Sequence, residues 1–319
     1  MVTLTVRPYQ GESDLQPIAN LLNACEAADR EDCYYSLAGL QTEFTAPNCN
    51  PERDLRLWHN ANGQLVAFGQ LSIPSEFADQ VDGYLWFRVH PQARRQGLET
   101  EIMTWGEACL RDIAKVQGLP GKLGISCRDY QRDRIALFET HGFAYERCFL
   151  RMQRSLSEPI DIPQLPEGFT IKTGDETTTA NWVEMYNQTF IDHWNFHPLT
   201  IEQADHWLSS PTYRPELDLV AIAPDGTYAA FCYGHVDPEE NQHRRCREGW
   251  ISILGTRRGF RRLGLGRSLL LSGLHRLKAA GMDTALLGVD SENPNQAYTL
   301  YNGVGFRKQH ATFCYSKQL

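Results

Sequence analysis

Short apolar runs alternate along this chain with amphipathic stretches, and the order of the two repeats itself once. Residues 55–58 and 65–71 flank Asn62-Gly63, and residues 217–222 and 228–233 flank Asp225-Gly226. Each dipeptide predicts a hairpin, because Asn-Gly and Asp-Gly tolerate the positive backbone angles of a tight two-residue loop. Further on, the strand-like run 84–89 leads into Arg94-Arg95-Gln96-Gly97-Leu98, and the run 250–254 leads into Arg261-Arg262-Leu263-Gly264-Leu265. A helix-spaced apolar stripe follows each loop: Ile102, Gly106, Cys109 and Ile113 in the first half, Leu270, Leu274 and Leu277 in the second. Gly118 and Gly281 are placed to close these helices, since glycine takes the left-handed C-terminal turn without strain. Finally, Leu137-Phe138-Glu139-Thr140-His141-Gly142-Phe143 is matched by Leu300-Tyr301-Asn302-Gly303-Val304-Gly305-Phe306.

Equivalent positions lie 163 residues apart at the hairpins and at Gly142 and Gly305, and 167 apart at the glycine loops, so the second half carries an expansion of four residues between hairpin and loop. Such a repeat predicts two similar α/β domains in tandem. The length of 319 residues suits this, being about twice a common single domain. The stretch 155–168, with Pro159, Pro163 and Pro166 and no periodicity, reads as a stiff linker between domains at 1–154 and 169–319.

Composition narrows the function classes. With 42% hydrophobic and 22% charged residues the chain can bury a core, which excludes disorder. A formal charge of -8 without a basic stripe argues against nucleic acid. The nine cysteines are odd in number and form no Cys-x-x-Cys pair, so neither a disulfide framework nor a zinc cage is expected, and a reducing cytoplasm fits. The N-terminal residues read neither as a signal peptide nor as a membrane span. Nothing in the sequence separates a monomer from a homodimer.

A strand, then Arg261-Arg262-Leu263-Gly264-Leu265-Gly266, then a helix beginning near Arg267-Ser268 is a phosphate-cradling arrangement: the glycines admit a close ligand and the helix N-terminus adds partial positive charge. It lacks the third glycine of the dinucleotide fingerprint and the Gly-Lys-Ser/Thr of the nucleoside-triphosphate loop.

Together with Thr256 before the loop and Asn293-Pro294-Asn295-Gln296-Ala297-x-x-Leu300-Tyr301-x-x-x-Gly305-Phe306 after it, this pattern resembles the GNAT superfamily of acyl-CoA-dependent N-acyltransferases. The resemblance covers residues 169–319 and, more weakly, 1–154. It implies two domains, each a mostly antiparallel mixed sheet flanked by helices, and acetyl-CoA as cosubstrate without a metal. In that family the glycine loop binds the coenzyme diphosphate, and the preceding strand splays from its neighbour to pair with pantetheine. The implied coenzyme-binding residues are Leu254, Gly255, Thr256, Arg261, Arg262, Leu263, Gly264, Leu265, Gly266, Arg267, Ser268, Asn293 and Tyr298. Asn293 has the alternative role of capping the following helix.

The first half departs from the pattern at four positions. Glu99 stands for Gly266, Phe138 for Tyr301, Tyr130 for Asn293 and Arg134 for Ala297. A carboxylate beside a diphosphate is repulsive, and phenylalanine has no proton to give. The expectation is therefore a degenerate first domain and a catalytic second one. There Tyr301 is the candidate acid for the leaving thiolate, and Glu248, at the start of the strand, is the first candidate base. Asp192, His193, His197 and His235 compete with it. Phe190, Asp192, His193 and Trp194 are expected to line the acceptor pocket. His193 and His197 are four apart but lack a third ligand, so no metal is expected. The acceptor is expected to be a primary amine of a small molecule, such as an aminosugar or polyamine. A non-catalytic acyl-CoA sensor and a peptide amine acceptor are the alternatives.

Overall fold

In a computed structural model, which describes residues 4–74, 77, 79–293 and 295–319, the chain forms two compact units. Pro294 of the quoted motif lies outside the described residues. Unit 1 comprises residues 1–146 together with 313–319, and unit 2 comprises 147–312.

In unit 1 the strands β1 (Thr5–Pro8), β2 (Leu55–His59), β3 (Leu65–Ser72), β4 (Val81–Val89) and β5 (Gly121–Arg128) lie side by side in that order. The first four pair antiparallel, whereas β4 and β5 are parallel. Next to β5 come the last residues of the chain, where the Leu319 amide donates to the Gly121 carbonyl at 2.8 Å. Helices α1 (Leu15–Asp29), α2 (Leu37–Phe44), α3 (Pro51–Asp54), α4 (Leu98–Gln117) and α5 (Arg132–Thr140) complete the unit. Of the expected α4 stripe, Ile102 and Gly106 are buried and Cys109 and Ile113 half-buried, while Met103 and Leu110, outside that stripe, are inaccessible and pack with Leu85 and Phe87 of the sheet.

Strand β6 (Ala144–Ser155) leads into unit 2, which adds β7 (Thr170–Thr173), β8 (Asp218–Ile222), β9 (Tyr228–His235), β10 (Glu248–Thr256), β11 (Thr284–Asp290) and the first half of β12 (Arg307–Gln318), whose residues from 313 on belong to unit 1. Within the unit the order is β12-β6-β11-β10-β9-β8-β7, with β10 and β11 parallel. Its helices are α6 (Thr179–Phe190), α7 (Ile201–Leu208), α8 (Pro238–Arg244), α9 (Leu265–Ala279) and α10 (Ala297–Gly303). The expected stripe Leu270, Leu274 and Leu277 is fully buried, each leucine contributing about 1.5–3 kcal/mol. Gly118 is the C-cap of α4, with φ 68°, and Gly281, with φ 87°, follows the C-cap of α9. The four-residue expansion falls between β9 and β10, where α8 is built.

The hairpins differ from the expected two-residue turns. Asn60 pairs with Gln64 and Ala223 with Thr227 across three-residue loops, and only Gly63 and Gly226, not Asn62 and Asp225, take positive φ. The Pro-rich stretch 155–168 is not a free linker: Leu156, Ile160 and Leu165 join the core of unit 2.

Candidate active site

The glycine loop of unit 2 is held open from behind. Arg261 donates through Nε to the Thr256 carbonyl at 3.1 Å and through Nη2 to the Thr189 carbonyl at 3.1 Å, tying the loop to the end of β10 and to α6. Asp192 accepts from Arg258 and, at 3.4 Å, from Arg261, which holds its carboxyl below the usual carboxylate range. Arg262 and Gly264 take positive φ, 67° and 90°, and Gly264 N-caps α9 without a capping side chain. The first amides of that helix are therefore free to meet an anion.

Strand β10 supplies the other wall. Among the described residues it pairs with β11 over Glu248–Ile251, and from Ser252 onward the edge that faced β11 has no strand partner there. At the same point its register with β9 shifts by one residue, a β-bulge at Ser252. Between this edge, the loop, α10 and the segment after α6 lies a cleft of about 400 Å³. An open edge, a cradle of amides and a cleft of this size fit an elongated acyl-CoA.

Of the residues expected to touch the coenzyme, Leu254, Gly255, Thr256, Arg261, Arg262, Gly264, Leu265, Gly266, Arg267 and Asn293 line this cleft. Leu263, Ser268 and Tyr298 do not. Leu263 and Tyr298 turn to solvent, and the Ser268 hydroxyl instead donates to the Gln164 carbonyl, anchoring the Pro-rich stretch. Asn293 does not cap α10, whose N-cap is Gln296; its Oδ1 accepts from the Asn295 amide at 2.9 Å. The expected acceptor residues Phe190, Asp192, His193 and Trp194 all line the cleft, as does Tyr301. Burial raises the pKa of the Tyr301 hydroxyl, with the buried Cys232 thiol adding to the effect.

Glu248 is placed elsewhere. It lies at the far end of β10 and does not line the cleft; its Oε2 accepts from Arg244 at 2.6 Å and faces Arg151 at 4.0 Å. His235 and His197 do not line the cleft either, although burial lowers the His235 pKa. Among the described residues no cluster of three or more His, Cys, Asp or Glu could hold a metal, and no helix is long and apolar enough to cross a membrane. None of the nine cysteines is joined in a disulfide.

Gln296 of the quoted motif lines the cleft too, and so do Thr189, Phe260 and Asp290, which sequence reading passed over. Asp290 is charge-paired with Arg147, its two oxygens accepting at 3.0 and 2.7 Å. No motif marks Thr189, Phe260 or Asp290; only the pairing of β11 with β6 brings Arg147 to Asp290.

Unit 1 preserves the loop but surrounds it with larger, charged side chains. Arg95 and Gly97 repeat the positive φ of their counterparts, at 59° and 92°, and Arg94 donates to the Val89 carbonyl as Arg261 does to Thr256. Yet Arg88 occupies the strand position of Gly255: it faces Phe68 across the ladder as Gly255 faces Phe231. Arg88 pairs with Glu31 at 2.6 Å, and Arg134 lies over the rings of Phe87 and Phe138, at 4.6 and 5.4 Å. Burial, assisted by the charge of Arg88, lowers the Arg134 pKa to about 10. A cleft of about 420 Å³ remains beside the loop, bordered by Asp29, Arg94, Arg95, Glu99, Asp133 and Arg134.

The profile of the acetyltransferase (GNAT) family matches twice, over residues 15–143 and 179–306. The mycothiol acetyltransferase of Thermomonospora curvata is 30% identical over 230 residues, covering 69% of this chain and 69% of that protein. That of Stackebrandtia nassauensis is 26% identical, covering 95% of each. A GCN5-related N-acetyltransferase from Sphaerobacter thermophilus shares the fold with a TM-score of 0.72 at 24% identity, over 99% of this chain and 95% of that one. A tandem GNAT protein from the clavulanic acid biosynthesis pathway shares it with a TM-score of 0.71 at 14% identity, over 99% and 98%. The two-fold match, one in each half and each containing a glycine loop on the same strand-to-helix turn, means that the chain belongs to the GNAT family and is an N-acetyltransferase made of two GNAT domains.

Proposed function

We propose that unit 2 alone carries the reaction, transferring the acetyl group of acetyl-CoA to a primary amine of a small, mycothiol-related molecule. The observation that supports this reading is where side chains are missing. Gly255, Gly266 and Ala297 border the unit 2 cleft, while their counterparts in unit 1 are Arg88, Glu99 and Arg134. The acceptor class rests on relatives named mycothiol acetyltransferase that cover most of the chain.

Acetyl-CoA supplies an acetyl thioester; the chain supplies position and protons. The amides after Gly264 and the guanidinium of Arg262 receive the diphosphate, and the free edge of β10 receives the pantetheine amides. A lysine-like amine loses its proton at pH 7.4 at a cost of about 4 kcal/mol, so a base is useful. His193 fits this task better than Glu248. Its Nδ1 lies 3.0 Å from the Trp194 carbonyl, which assigns the proton to Nδ1 and leaves Nε2 to accept. Asp192 and Asp290, the cleft carboxylates, are already engaged by arginines. Tyr301, kept protonated by burial, donates to the departing sulfur.

Calorimetric titration of acetyl-CoA into the whole protein tests the reading. One site per chain is expected, followed by turnover of at least one amine in a panel of aminosugars, cysteine-linked aminosugar conjugates and polyamines. Two equal sites would remove the assignment to unit 2. Binding without turnover of any amine would favour a non-catalytic sensor.

A further inference from the structure

Thr189 sits in the last turn of α6, 6% exposed and lining the unit 2 cleft, yet among the described residues its Oγ1 has no hydrogen-bond partner. This is unusual for a helical threonine. The carbonyl four residues back, here that of Met185, is a ready acceptor, and threonine commonly uses it. A buried hydroxyl that forgoes a local bond burdens the free protein.

Its neighbours fix the side chain. The Cγ2 methyl lies 2.5 Å from where a Gly255 Cβ would stand, with the Phe231 ring at 2.9 Å, so methyl and glycine interlock. The carbonyl of the same residue accepts from Arg261 at 3.1 Å, which binds it to the glycine loop. Thr189 therefore joins the two walls of the cleft, the edge of β10 and the loop, and carries an unsatisfied hydroxyl between them. In unit 1 the strand position of Gly255 is taken by Arg88, which is committed to Glu31.

We propose that Thr189 is a positioning residue whose hydroxyl bonds a polar group, an amide or hydroxyl, of the pantetheine arm of the acyl donor. The inference rests on the reading that unit 2 holds the donor. The hydroxyl bonds the arm and leaves the nucleotide end untouched, and it completes its hydrogen bonding only when the arm is present.

Thr189→Val keeps the shape and the methyl against Gly255 while removing the hydroxyl, and Thr189→Ser keeps the hydroxyl while removing the methyl. The probes are acetyl-CoA and adenosine 3′,5′-bisphosphate, which has no arm, titrated calorimetrically into the full chain. Thr189→Val should weaken acetyl-CoA about five- to tenfold, leave the bisphosphate within twofold, and raise KM for acetyl-CoA more than it lowers kcat. Thr189→Ser should bind acetyl-CoA within twofold of the wild type. Equal acetyl-CoA affinity in Thr189→Val overturns the proposal, as does equal weakening of both probes, which would assign Thr189 to loop support. If Thr189→Val does not fold, Thr189→Ala takes its place against Thr189→Ser. Failure of the wild type to bind acetyl-CoA in unit 2 overturns the underlying reading instead.

Discussion

The carboxylate of Glu99 accepts the amide N–H of Arg95 at 3.2 Å, so the glycine loop of unit 1 is closed by an anion of its own chain. In unit 2 the matching position is Gly266. A Cβ there would meet nothing nearer than Thr256 Oγ1 at 3.5 Å, and its φ is not positive. The missing side chain therefore leaves room that the fold does not need. Gly266→Glu is expected to weaken acetyl-CoA at least about 100-fold by calorimetry, from like-charge repulsion and a filled cradle. Its melting temperature should stay the same or rise, since glutamate favours helix more than glycine does. Retained affinity would show that coenzyme binds outside this loop.

Tyr301→Phe should lower kcat about 100-fold or more while leaving KM for acetyl-CoA within about twofold. Burial raises the tyrosine pKa, so the group keeps its proton throughout the neutral range. Loss of the acid form should accordingly produce no fall in kcat up to about pH 9.5. A tyrosine-dependent decline centred near pH 8 would contradict the assignment.

Glu248 and His193 separate in a pair of variants. Glu248→Gln weakens the contact with Arg244, both side chains being largely buried, and is expected to lower the melting temperature by a few degrees with kcat within about threefold. His193→Gln should lower kcat about 100-fold at pH 7 with folding intact. The reverse ranking of the two kcat values would restore the strand-end carboxylate as the base.

Asp218 carries a pH effect on stability. It is 1% exposed, its donors among the described residues are neutral, Trp182 Nε1 at 3.3 Å and Tyr213 at 3.1 Å, and burial raises its pKa to about 6. Because the folded value lies above the unfolded one, near 3.9, the folded state binds the proton more tightly. Stability from this group is present below about pH 4, is lost as pH rises to about 6, and stays lost above. The difference is on the order of 2–3 kcal/mol. Relative to the wild type, Asp218→Asn should gain stability between pH 4.5 and 7.5 in urea titrations; a difference independent of pH would mean that the carboxyl titrates normally.

The repeat, the glycine loop and the tyrosine were legible because each is carried by local chemistry: glycines where φ is positive, apolar residues at helical spacing, a phenol in one half and a phenyl in the other. Ser268 and Tyr298 were misplaced because a motif gives positions along the helix but not which face meets a ligand. Ser268 instead faces the chain at Gln164.

The sequence by itself determined two GNAT domains, the loop that can cradle a diphosphate, and the residues that mark one half as altered. The loop and the repeat follow from backbone preference and from intervals along the chain, which need no knowledge of distant contacts, and the GNAT reading follows from the likeness of the motifs to that family. Only the tertiary structure decided that Glu248 is bound by Arg244 away from the cleft, that Arg88 fills the place of Gly255, and that Thr189 keeps an unmet hydroxyl beside it. It also decided that residues 313–319 complete unit 1 rather than unit 2. Each of these depends on which side chains long-range strand pairing and helix packing bring within a few ångströms of each other, and the spacing of residues along the chain carries no record of that.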